Sequence, residues 1–151
     1  MENRHLYRAK DMNTDKWHTG FYTWCEDNSF INVHESHCVE AETNSYENWL
    51  VPYNVDPKTV CQCTGLKDKN GVLIFEGDKI NIIYTEMKER NSLRNLGKPS
   101  ELCEYESFFA EYIDIVIFKD GCFAVKEDDM PLIECEFAEQ FEIIGNIHDG
   151  L

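Results

Sequence analysis

The chain has 151 residues, enough for one ordinary domain with a core that needs no metal or disulfide to hold it. Its 14 basic residues face 29 acidic ones, a net charge of −15, which disfavours general binding to phosphate backbones. Aromatic residues are plentiful and proline is scarce, which argues against a disordered chain.

In chain order, residues 4–10 predict a first strand. A polar turn follows over 11–16, and an aromatic strand over 17–24 returns from it, making an N-terminal hairpin. Ser29–His34 suits a short strand. Residues 35–48 are polar without a period and predict a loop. After Trp49–Tyr53 and a polar patch ending at Asp56-Pro57, Val60–Thr64 alternates as a strand should.

The centre gives the sharpest pattern. Gly65–Gly71 ends in Asn-Gly, a dipeptide whose residues both tolerate the positive φ of a tight hairpin turn. Val72–Phe75 is a short apolar strand, Glu76-Gly77-Asp78 a turn, and Lys79–Tyr84 a half-exposed strand. Residues 85–107 break the pattern and predict a long loop or a short helical insertion, closed by Gly97–Ser100. Tyr112–Phe118 is a strand rich in β-branched residues, and Asp120-Gly121 turns it back into Cys122–Lys126. Further strands are expected over 132–137 and 141–147, with Gly145 marking a bulge or a close backbone approach. The whole predicts a mostly β, antiparallel protein: an N-terminal β-hairpin subdomain (1–64), then a small closed barrel (65–151) with an excursion at 85–107. Closure of such a barrel hides strand edges.

Three stretches together resemble the YopX family: Cys63–Ile80, Phe141–Asp149, and more loosely Leu6–Tyr22, with Val55–Gln62 as a lead-in. Ala9 and Cys61 stand where relatives carry Gly, and Cys63 where they carry an aromatic. The resemblance implies an SH3-like barrel and an origin in a phage or prophage. It implies no agreed biochemical activity and supplies no catalytic residue.

The signature reads first as fold chemistry. Asp68 is placed to accept backbone hydrogen bonds within its own turn, and Asn146 to bond across the barrel end. The functional alternative is a polar binding rim of Asp68, Lys69, Glu76 and Asp78, joined by the acidic run Glu127-Asp128-Asp129. Cys25, His34, His37, Cys38, Cys61 and Cys63 include no Cys-x-x-Cys pair, so they read as packing thiols and solvated histidines rather than zinc ligands. No nucleophile, cofactor or metal site is expected.

Charge sharpens the functional reading. Residues 101–151 hold 14 acids against two bases, whereas residues 66–98 hold seven bases against five acids. These features predict a non-enzymatic binding module acting through contacts with a host or phage protein, with an acidic mimic of DNA as the sharper form. The alternative is a nucleic-acid accessory protein that uses residues 66–98, including Lys88, Arg90, Arg94 and Lys98. The opening residues carry no apolar leader, the apolar runs are too short to cross a bilayer, and the odd number of cysteines suits a reducing compartment. The expectation is therefore a cytoplasmic protein with no membrane contact, compatible with a homo-oligomer.

Overall fold

The computed structural model describes residues 3–40, 45–89, 96–99, 105–127, 131–132 and 141–150, with side chains at 37–40, 45–46, 84–89 and 105–110 set aside. Ten strands run β1 (Tyr7–Lys10), β2 (Trp17–Cys25), β3 (Asn28–Glu40), β4 (Ser45–Val55), β5 (Cys61–Lys67), β6 (Leu73–Phe75), β7 (Asp78–Glu89), β8 (Tyr105–Lys119), β9 (Cys122–Val125) and β10 (Glu142–Asn146). A 3-10 turn, Pro57–Thr59, starts with Asp56 capping the Lys58 amide.

Every strand pairing among the described residues is antiparallel, as expected. The closed barrel is not found among the described residues. The strands form two open sheets instead, one ordered β4-β3-β2-β1-β5-β6 and one ordered β10-β7-β8-β9. The reason lies in β5. Its first residues pair with β1 and its last with β6, and Gly65 (φ +82) shifts the register between. The sheets then meet through separate backbone bonds rather than a shared ladder: Gly77 N–H to Val116 O (2.8 Å) and Lys69 N–H to Phe141 O (2.9 Å). A boundary between residues 64 and 65 falls inside β5.

In the first sheet, β2 pairs with β1 through Gly20 and with β3 from Phe21 onward. At that handover a Cβ on Gly20 would lie 2.2 Å from the Asn32 carbonyl oxygen, so no larger residue fits without moving backbone. The sheet curls until the ends of β1 and β4 touch through one bridge, Asp11 to Val55. Ala9, Ile31 and Val55 are buried inside this curl, flanked by Tyr7, Tyr22 and Tyr53. On the outer edge of β4, Asn54 O accepts from Met12 N–H, so even-numbered residues turn their backbone groups outward. Pro52 falls in that row and has no N–H to offer, which interrupts the edge as a template for another strand.

The second sheet buries Ile74, Ile80, Ile82, Val116, Phe123, Val125, Leu132 and Phe141. Asp120 and Gly121 both take positive φ (51° and 84°), the mirror-image turn that Asp-Gly predicts. In the Asn70-Gly71 turn only Gly71 does so (φ 79°). There the Asp68 side chain, rather than a paired positive-φ geometry, organises the chain.

Parts of two expected loops are strands. Residues 35–40 and 45–48 continue β3 and β4 as a two-stranded ribbon, and β7 and β8 extend through Glu89 and from Tyr105. Beyond Asn32 no third strand among the described residues joins the first ribbon, and β10 leaves the second at Asn81. A ribbon with two wet faces needs no alternation of apolar residues, so its sequence looks like loop. Polar cross-strand pairs such as Ser36 with Asn48 hold it instead. The strand expected at 132–137 lies outside the described residues from 133 onward.

Candidate functional site

The signature stretches converge on one polar clasp between the sheets. Its centre is Asp78, the first residue of β7, whose side chain is fully buried. The preceding Gly77 (φ +80) makes the turn that aims it inward, and a Cβ there would press on Ile147 and Asn146. Asp78 accepts from the Phe75 backbone N–H (2.8 Å), from Asn146 Nδ2 (3.1 Å) and from Arg8 Nη2. Burial pushes the Asp78 carboxyl above its ordinary value, against the pull of Arg8 and these N–H donors.

Arg8 enters from β1 with its guanidinium between two rings, 4.8 Å from the Trp17 centroid and 4.6 Å from that of Phe75. This is the stacked geometry that suits a planar cation. Asn146 links onward: its Oδ1 accepts from His148 N–H (2.9 Å) and its own N–H donates to Asp149 (2.8 Å). Asp149 also accepts from Trp17 Nε1 (2.9 Å), and Lys10 Nζ lies 3.8 Å away. Burial raises the Asp149 carboxyl, but the Trp17 and Asn146 donors with Lys10 and Arg8 hold it below its ordinary value.

Beside the clasp, Cys61, Cys63 and Phe75 form a small core. Burial pushes the Cys61 thiol up to about 11 and the Cys63 thiol upward as well, so both are protonated packing groups rather than nucleophiles at neutral pH. Among the described residues no three His, Cys, Asp or Glu side chains gather as a metal site. Cys25 is exposed at the end of β2 and His34 is exposed on β3.

The residues expected to form a rim are dispersed into internal roles. Asp68 is buried and accepts from the N–H groups of Asn70 and Val72 (2.9 Å each) and Ile143 (3.3 Å). Burial opposes its charge, yet these donors hold its carboxyl below the ordinary value. Lys69 pairs with Glu142 at 2.5 Å. Glu76 is half-buried and uses its backbone to join β5 and Asn146. Glu127 is exposed and donates its N–H to buried Asp114 (3.1 Å), while Asp128 and Asp129 lie outside the described residues. The reading of Asp68 as a turn acceptor holds, as does Gly145 at a bulge.

The clasp members missed in the sequence are Arg8, Lys10, Trp17 and Asp149. All four lie inside the stretches that carried the family resemblance, which was the available signal. What the residues alone could not supply was the pairing of Arg8 with an acid 70 positions away.

Fold and clasp together define a mostly β protein whose signature stretches fasten two sheets. The YopX family model, described as YopX protein, matches residues 6–150, and the chain belongs to that family. No curated protein matches it.

Proposed function

We propose that this protein is a non-enzymatic binding module of phage or prophage origin, working in the host cytoplasm through contacts with a basic host or phage protein. The observation that carries the reading is the partition of charge. Asp78 and Asp149 in the clasp have Arg8 or Lys10 beside them, while residues 101–151 carry 14 acids against two bases. A surplus of that size attracts basic partners over several ångströms and repels phosphate. In its sharper form the acidic third copies the charge of DNA and occupies a nucleic-acid-binding protein. No helix among the described residues is long and apolar enough to cross a membrane. We read the β5–β10 portion as an opened relative of an SH3-like barrel, wrapped on the core around Ile80.

Affinity capture from host lysate tests the proposal. At low salt the retained proteins are basic and are released as salt rises, and duplex DNA competes for them if the acidic surface stands in for phosphate. Retention of no basic protein at low salt overturns the reading. The second reading, a nucleic-acid accessory protein using residues 66–98, is favoured only by the basic lean of that segment, and Lys69 within it is already tied to Glu142. Salt-sensitive gel shifts with single- or double-stranded nucleic acid would replace the first reading with this one.

A further inference from the structure

The outer face of the β10-β7-β8 sheet is unusual for a surface. Buried Asp114 and Val116 point β8 inward, so Ile113 points out, and it is 59 % exposed. A strand apolar on both faces belongs where both faces are covered. Ile113 sits opposite Asn81 on β7, and Glu111 sits opposite Ile83, itself 37 % exposed. The bulge between Ile143 and Gly145 turns Ile144 outward beside them, 49 % exposed. Asn81, Glu111, Tyr112, Ile113 and Ile144 line an open groove of about 470 Å³.

The polar end of the groove is an acceptor. Asn81 Nδ2 donates to Glu111 Oε1 at 2.5 Å and holds the carboxylate in place, while Asn81 Oδ1 has no hydrogen-bond partner. The nearby Lys69 is held by Glu142. Aliphatic walls ending in an oriented carboxylate complement a long side chain with a cationic head, which lays its stem on apolar surface and its charge on oxygen.

We propose that this groove docks a basic segment of a partner protein, taking one lysine or arginine side chain along Ile113 and Ile144 with its head on Glu111. This deepens the proposed function and rests on it: it locates the contact on one face rather than across the whole acidic third. Lys79, one row along the same face opposite Ile115, opposes an incoming cation.

The test uses the full chain, isotope-labelled for NMR, titrated with an acetylated peptide of alternating leucine and lysine and with its glutamate-for-lysine counterpart. The expected result is shifts confined to the Asn81 side-chain amide, Glu111, Ile113 and Ile144 with the lysine peptide and none with the glutamate peptide. Glu111→Gln weakens binding about three- to fivefold, the range of an exposed ion pair, and Lys79→Gln does not weaken it. Both positions are on the surface, so an unchanged amide spectrum verifies that each variant is folded. Binding whose shifts spread over residues 101–151, with E111Q equal to the parent chain, overturns the groove but leaves the acidic-surface reading standing. No binding of the lysine peptide at low salt overturns both.

Discussion

The clasp and the outer face of β7 and β8 share β7, with Asp78 and Asn81 a few residues apart on it, and use their polar groups in opposite ways. At Asp78 both carboxylate oxygens are engaged from within: Arg8, Phe75 N–H and Asn146 close around it. At Glu111 the donor among the described residues is Asn81, and Ile83 and Ile113 beside it are exposed. The first arrangement fastens the protein to itself; the second leaves chemistry facing solvent. The signature stretches of this chain thus serve the fold at the clasp, while β8 beside them leaves a carboxylate facing solvent.

The comparison breaks most severely at its buried end. Asp78→Ala leaves the largely buried Arg8 guanidinium without its acid, and losing one member of such a pair costs up to about 3–5 kcal/mol. Urea unfolding followed by tryptophan fluorescence measures this, since Trp17 stacks on Arg8. The paired change Arg8→Met with Asp78→Leu costs clearly less than the single one, because no orphaned charge remains. If D78A unfolds at the same urea concentration as the parent, the clasp is not what joins the sheets. Gly20→Ala is the next largest effect. Its Cβ would meet Asn32 O at 2.2 Å, so β2 and β3 must part, at a cost of about 1–3 kcal/mol. Loss of stability in the same urea experiment, with β structure retained by circular dichroism, is the expected outcome.

The two ends of the comparison were unequally legible in the sequence. Turn chemistry was local, so Asp68, Asp120-Gly121 and the Gly145 bulge could be placed from a few adjacent residues. Antiparallel order followed from those corners. Closure did not, because it depends on how β5 divides itself between β1 and β6, and no local pattern encodes that division. The first ribbon was missed for the opposite reason: a strand exposed on both faces lacks the alternation by which strands are recognised, as the adjacent and exposed Asn48 and Trp49 illustrate. Arg8 looked like any strand-borne base until the fold brought Asp78, Trp17 and Phe75 around it.

Acid separates the clasp carboxylates by sign. Asp68 and Asp149 lie below the ordinary value of 3.8, so each binds its proton less tightly when folded. Their contribution is complete above 3.8 and is lost as pH falls through their folded values. Asp78 is raised and runs the other way: it favours the folded state below 3.8 and loses that advantage as pH rises through its folded value. Thermal midpoints measured from pH 6 to pH 2.5 should fall toward acid. The fall becomes shallower in Asp68→Asn, which no longer titrates, and steeper in Asp78→Asn, which removes the opposing contribution. A parallel curve for D68N would show that its three backbone donors do not hold the charge. At neutral pH, D68N loses roughly 1 kcal/mol, since an amide oxygen still accepts in the turn but without charge.

The smallest effect on stability is expected at Ile113, and it sharpens the comparison most. Ile113→Ser removes an isoleucine that is already largely in water, so urea unfolding should shift by no more than about 0.5 kcal/mol. If Ile113 belonged to a core, the same change would cost several times that amount, in the range seen for buried aliphatic truncations. A near-neutral result therefore assigns the apolar outer face to something other than folding. When the lysine-containing peptide also binds Ile113→Ser more weakly, the single substitution divides the two roles: stability unaffected, docking impaired. D78A gives the reverse pattern in stability. A large loss of stability in Ile113→Ser would instead mean that this face packs against the protein's own chain, and the groove would lose its claim on a partner.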